Sequence, residues 1–319
     1  FEKIYSPSVL ERLKSCCPDV ELLSTEKFTS REDVLQDVEI LFSGWGPPRL
    51  DKEALAKFPS LKLVLYGAGS LKSIVCDYFW EQNIPICSAW VANAVPVAEF
   101  SFAQIILGLK QALRLPFLMR EARKKVLPDS DITLGAFNTN VSLISLGQIG
   151  RMVAERLKTL DVNVFAYDPF VSEAKAKDLG IKLVSLEDAF ATSQVVSLHT
   201  PWLKETEGMI TGDLLRAMPP GATFINTARG AVVNEPELIH VMQERQDLTA
   251  VLDVTYPEPA PPESKLYDLE NVFLTPHVAG SMAGECARMG QYMVEELQRW
   301  QKGEPLKYSG SKEAFEKMA

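Results

Sequence analysis

The sequence predicts an α/β protein built from two doubly wound parallel-sheet domains. Three observations carry this. Short apolar segments of strand length alternate with helical segments along most of the 319 residues. Several of these segments run directly into glycine, proline or a polar turn, as the strands of a parallel sheet do before a crossover. A long helical stretch near residues 97–125 separates two such series, in a chain too long for one ordinary core.

In order, Pro7–Cys16 reads as a helix, and Val38–Phe42 is a short apolar run that stops at Ser43-Gly44-Trp45-Gly46-Pro47-Pro48. Leu61–Leu65 is a buried strand halted by Tyr66-Gly67-Ala68-Gly69, and Ile84–Cys87 is another. Parallel domains usually open with a central strand, and Phe1–Tyr5 is too short and polar to serve. A strand upstream of Phe1 is therefore expected. Val97 to about Lys125 is helical with a break at Pro116, and Pro128–Asn140 is loop-like. The second series places strands at Val141–Ser145, Asn163–Tyr167, Val195–Leu198, Thr223–Asn226, Thr249–Leu252 and Val272–Thr275. Its helices are Ile149–Leu160, Ser172–Leu179, Glu237–Glu244 and shorter pieces, and a last helix runs from Gly284 to about Gln301.

The formal net charge is −9, and the one basic run, Arg120–Lys125, is interrupted by Glu121 and Ala122. Such a chain is a poor ligand for a phosphate backbone, so no nucleic-acid partner is expected. The most apolar helical stretch, Ala94–Leu109, is interrupted by Pro96, Glu99 and Gln104, so no membrane partner is expected either. Five cysteines without a C-x-x-C pair argue against a disulfide framework or a metal site and suit a reducing cytoplasm. No signal peptide is visible.

The strongest local signal lies in Val141–Asp168. An apolar strand enters Ser145-Leu146-Gly147-Gln148-Ile149-Gly150, a helix follows, and a second strand ends at Asp168, 18 residues after Gly150. This approaches the dinucleotide fingerprint G-x-G-x-x-G with an acid about 20 residues on. Gly147 would let the backbone approach a pyrophosphate, Gly150 would let helix and strand pack closely, and the helix N-terminus would favour the phosphates. Asp168 would accept from the ribose hydroxyls and repel a 2′-phosphate, which points to NAD rather than NADP. Ser145 replaces the first glycine, and this puts the tightness of the turn in question.

Three histidines are present: His199, His240 and His277. His240 falls in a helix and reads as a surface or packing residue. His199 ends a strand in Leu198-His199-Thr200-Pro201, where lining a cleft and simply closing the strand are both open. His277, in Thr275-Pro276-His277-Val278-Ala279-Gly280, follows a strand at the end of a parallel sheet where ligands bind. With Ile225-Asn226-Thr227-Ala228-Arg229-Gly230, Leu252-Asp253-Val254-Thr255-Tyr256-Pro257-Glu258-Pro259, Thr206 and the Gly67-Ala68-Gly69 turn, these segments resemble the D-isomer-specific 2-hydroxyacid dehydrogenase family, in family order from about residue 40 to 300.

The resemblance implies a Rossmann-type NAD domain at 96–283 inserted in a flavodoxin-like substrate domain formed by 1–95 and 284–319. It implies hydride transfer between NAD and C2 of a small 2-keto or 2-hydroxy acid. Arg229 would hold the substrate carboxylate and polarise the carbonyl, His277 would be the acid–base group, and Glu258 would orient and charge it. Backbone amides at Ala68 and Gly69 would bind the carboxylate. Cofactor contacts would come from Gly147, Gln148, Ile149, Gly150, Asp168, His199, Thr200, Pro201, Thr206, Thr227, Ala228, Arg229, Asp253 and His277. Formate dehydrogenases of the family carry glutamine where this chain has Glu258, which argues against formate. The loop containing Trp45 suggests an apolar substrate wall and a non-phosphorylated acid, although Arg49 leaves room for an anion. Val97–Leu109 falls where such proteins dimerise. The alternative is a non-catalytic NAD-binding regulatory module, since corepressors resembling this family can keep all three residues.

Overall fold

The computed structural model describes residues 1–23, 35–128, 132 and 134–316. The chain divides into two compact units, Phe1–Ala94 joined by the segment that begins at Ser281, and Val95–Gly280. The expected loop over Pro128–Asn140 lies partly outside the described residues.

The first unit holds a parallel sheet of β1 (Ile40–Ser43), β2 (Leu63–Tyr66) and β3 (Ile86–Ser88), in that spatial order. Side chains alternate across a strand, so β2 feeds two cores. Leu63 and Leu65 pack with Val9 and Leu13 of the helix Pro7–Cys16 and with Met289, Met293 and Leu297 of the helix Cys286–Lys302. Val64 and Tyr66 face Leu55, Phe58 and Phe79 on the other side. Burial on both faces is why these strands read as continuous apolar runs. Beyond β3, Ser88 N–H donates to Tyr308 O at 3.1 Å. The buried Glu296 carboxylate secures that join, accepting from the amides of Lys307 at 2.8 Å and Tyr308 at 3.1 Å and from the Cys87 thiol at 3.3 Å.

The second unit is a seven-stranded, wholly parallel sheet. Its strands are β4 (Thr139–Ile144), β5 (Val162–Tyr167), β6 (Lys182–Leu183), β7 (Val195–Leu198), β8 (Thr223–Asn226), β9 (Thr249–Leu252) and β10 (Val272–Leu274). Their order is β10-β9-β8-β7-β4-β5-β6. Strand order reverses between β4 and β7, and the crevice outside the carboxyl ends at such a reversal is where ligands bind in open α/β sheets.

One expectation is corrected here. Pro96 does not interrupt the apolar stretch: a single helix runs Trp90–Leu109 with Pro96 inside it. The ring removes one hydrogen bond, but burial of Ala94, Val97 and Ala98 on either side carries the helix across. This helix is long and apolar enough to span a bilayer by length and composition. In the structure Ala98, Ile105 and Leu109 instead pack on Val141 and Leu143 of the sheet, and the Ser101 and Thr227 hydroxyls pair at 2.9 Å. The helical stretch does break near Pro116, as expected: one helix ends at Leu109 and Pro116 falls in the first turn of the next, Leu115–Ala122.

Candidate active site

At the β4 end of the crevice, the helix Gln148–Leu157 starts from Gly147 with no side-chain cap. Its first helical bond is Arg151 N–H to Gly147 O at 3.1 Å. The amides of Gln148, Ile149 and Gly150 therefore precede the ladder and have no partner among the described residues. A Cβ on Gly147 would meet nothing within 4 Å, whereas one on Gly150 would lie 2.2 Å from Ser145 O. The first glycine leaves space for a ligand and the second lets helix and strand touch. Ser145 adopts φ +79°, the left-handed conformation that favours glycine. The turn thus keeps the glycine geometry with a serine in it. Asp168, just past β5, accepts from Leu146 N–H at 2.7 Å through Oδ2 and from Phe170 N–H at 2.8 Å through Oδ1.

Across the reversal, His199 follows β7 and is 6% exposed. Neither ring nitrogen has a hydrogen-bond partner, and burial pushes its pKa down to about 3. It is a neutral imidazole with open donor and acceptor capacity beside the phosphate turn, the kind of group a bound cofactor would satisfy. Thr200 Oγ1 donates to Ile144 O at 3.3 Å, tying the two strand ends together. Thr206 Oγ1 donates to Pro201 O at 2.6 Å and accepts from Leu203 N–H at 2.9 Å, closing the loop after β7.

The chemical groups assemble on β8, β9 and β10. After β8, Asn226 accepts from Ala228 N–H at 3.0 Å and donates to Arg229 O at 3.1 Å, forming a tight turn under Arg229. One guanidinium N–H donates to Ala228 O at 2.6 Å, which leaves the remaining donors of the fork. Burial pulls the Arg229 pKa down and the nearby Glu258 carboxylate opposes it. A Cβ on Gly230 would sit 2.1 Å from the Thr255 carbonyl, so only glycine lets this turn lie against the chain leading to Glu258. After β10, His277 has φ +54°. Its Nδ1 lies 2.6 Å from Glu258 Oε1, leaving Nε2 clear.

Sequence reasoning missed what holds this loop. Asp253 is almost fully buried, and its carboxylate accepts from Thr275 Oγ1 at 2.6 Å, Val278 N–H at 2.8 Å and Ala279 N–H at 2.9 Å. Its own carbonyl accepts from His277 N–H at 3.0 Å. Glu235, which accepts from Tyr256 N–H at 2.9 Å, and Gly230 were missed as well; Gly230 carried a signal, standing directly after the guanidinium. His240 pairs with Glu244 on the surface at 3.1 Å. In the first unit, the Ala68 and Gly69 amides donate to nothing among the described residues. Trp45 is half-exposed, and Arg49 lines a cleft of about 470 Å³ with Leu71, Lys72, Asp77, Trp80 and Lys312.

Residues 106–279 match the family model for the NAD-binding domain of D-isomer-specific 2-hydroxyacid dehydrogenases. The Val95–Gly280 unit is thus an NAD-binding domain, and its open helix amides, Gly147 gap and Asp168 carboxylate suit that cofactor. The chain is 30% identical over 291 residues to a glyoxylate reductase of Korarchaeum cryptofilum, covering 90% of this chain and 87% of that protein. It is 30% identical over 259 residues to a D-3-phosphoglycerate dehydrogenase of Archaeoglobus fulgidus, covering 81% of this chain but 49% of the relative. The chain spans about half the length of the phosphoglycerate dehydrogenases it matches. Among solved structures, a D-lactate dehydrogenase from Aquifex aeolicus complexed with NAD and lactic acid superposes with a TM-score of 0.69 at 26% identity, over 93% of this chain and 94% of that one. Motifs, sheet order and these likenesses converge, and the chain belongs to the D-isomer-specific 2-hydroxyacid dehydrogenase family.

Proposed function

We propose that the protein interconverts a small, non-phosphorylated 2-keto acid and its D-2-hydroxy acid with NAD. The observation that carries this is the 2.6 Å contact between His277 Nδ1 and Glu258 Oε1, beside a partly buried Arg229 that feels the same carboxylate. Bound nicotinamide supplies or accepts the hydride at C2. In reduction, negative charge grows on the C2 oxygen. Arg229 neutralises that charge and grips the carboxylate with its fixed fork of donors. His277 delivers a proton from Nε2, and Glu258 stabilises the charged ring and fixes its tautomer. Oxidation reverses the roles. The Ala68 and Gly69 amides suit a carboxylate. The Ser43–Arg49 loop holds a half-exposed Trp45 and a single cation, Arg49, and this supports a non-phosphorylated substrate.

The test is a panel of 2-keto acids with NADH. Turnover of at least one acid is expected, falling by about 10²–10⁴ in H277A and less in E258Q. NADH binding without turnover on any acid would overturn the enzymatic reading in favour of a regulatory module. Better turnover of a phosphorylated acid would overturn the substrate class. We place the enzyme in the cytoplasm as a homodimer. The helix Leu115–Ala122 buries none of its residues, and its Phe117 and Met119 are exposed. A monomer mass by light scattering at micromolar concentration would refute the dimer.

A further inference from the structure

We infer that Ser145, at the position of the fingerprint's first glycine, locks the Asp168 carboxylate and so sharpens the preference for NAD(H) over its 2′-phosphorylated analogue. This rests on Asp168 as the ribose acceptor. The backbone of Ser145 is held on both sides. Its N–H donates to Tyr167 O at 2.8 Å, and its carbonyl abuts Gly150, where a Cβ would approach to 2.2 Å. With φ at +79°, the direction of the Cα–Cβ bond is set as well. The side chain carries the hydroxyl to 3.4 Å from Asp168 Oδ2, the same oxygen that takes the Leu146 N–H at 2.7 Å. The other oxygen is taken by Phe170 N–H.

Three donors from two loops therefore hold one carboxylate. A glycine here would relax the turn but leave Oδ2 with a single donor, and the acid would be freer to swing away from a 2′-phosphate. The serine gives up backbone comfort for a fixed negative charge at the ribose edge.

The experiment is calorimetric titration of the full chain with NADH and with NADPH, for the wild type, S145A, S145G and D168A, together with melting temperatures without cofactor. S145A and S145G are both expected to weaken NADH about three- to tenfold, the cost of ordering on binding a carboxylate that the serine no longer holds, and to shift the NADH:NADPH affinity ratio toward NADPH. S145G is expected to raise the melting temperature and S145A is not, because only glycine relieves the left-handed backbone. A purely structural serine would move melting temperature and leave the ratio unchanged. Wild-type NADH affinity and ratio in S145A, with the ratio lost in D168A, overturns the role of Ser145 alone. An unchanged ratio in D168A overturns the reading of Asp168 and this inference with it.

Discussion

His199 gives this fold a built-in sensitivity to acid. In the unfolded chain its imidazole titrates near 6.5, and in the folded chain burial holds it neutral down to about pH 3. The unfolded state therefore binds the proton first, and stability is fully present above pH 6.5 and drains away as pH falls toward 3. At pH 5 the gap is about 1.5 units, which at 1.36 kcal/mol per unit removes about 2 kcal/mol. The ring is 6% exposed, so solvent screens little of this. Neither nitrogen has a partner, so H199L breaks no hydrogen bond. It should be as stable as the wild type at pH 7.5, or slightly more so. Urea midpoints of the cofactor-free proteins at pH 7.5 and pH 5 isolate the effect, because other titrating groups cancel between the two proteins. The wild type should lose about 2 kcal/mol more than H199L over that interval. Equal losses would show that water or movement reaches the ring and that it is not held neutral.

Gly230→Ala would place a Cβ 2.1 Å from the Thr255 carbonyl and push the Arg229 turn away from the Glu258 loop. A cost of about 1–3 kcal/mol and a drop in kcat/KM of at least about tenfold are expected, read by melting temperature and steady-state kinetics; wild-type kinetics would show that the two loops move freely. Glu296→Ala strands the amides of Lys307 and Tyr308, which the buried carboxylate now accepts. It should cost about 2–4 kcal/mol and speed hydrogen exchange at Tyr308 specifically; unchanged protection there would refute the join.

The fold was legible where burial is uniform. Val195–Leu198, Thr223–Asn226 and Thr249–Leu252 are strands over those same residues, because each is buried from end to end and stopped by polar residues. Helices of one turn, such as Lys52–Ala56 and Gly212–Arg216, escaped because five residues show no periodicity. The sequence places the start of the helix Trp90–Leu109 at Val97, because a proline signals a helix start more often than an interior. Arg229, Glu258 and His277 stood out through motifs, each short and local. Asp253 was visible as a residue but its task was not, since its partners lie 22–26 positions away and are set by the pairing of β9 with β10.

Two of the seven non-glycine residues with positive φ among the described residues, Ser145 and His277, lie where chemistry is expected. Ser145 and His277 both hold left-handed backbones, at a cost of about 1–3 kcal/mol each. Each is held by an acid at the end of the neighbouring strand. Asp168 after β5 grips the loop after β4, and Asp253 after β9 grips the loop after β10. Parallel pairing makes this possible, because neighbouring strands deliver their carboxyl ends to the same edge. The second clamp is testable without touching the reacting groups. Asp253→Asn keeps size and one acceptor, but its amide group must face one of the loop's own donors, Ala279 N–H or Val278 N–H. One buried N–H then loses its acceptor, at about 1–3 kcal/mol, and the strained backbone at His277 is free to relax. A fall in kcat of about tenfold or more is expected. Wild-type kcat in this variant would mean that the His277 conformation is held by something other than Asp253.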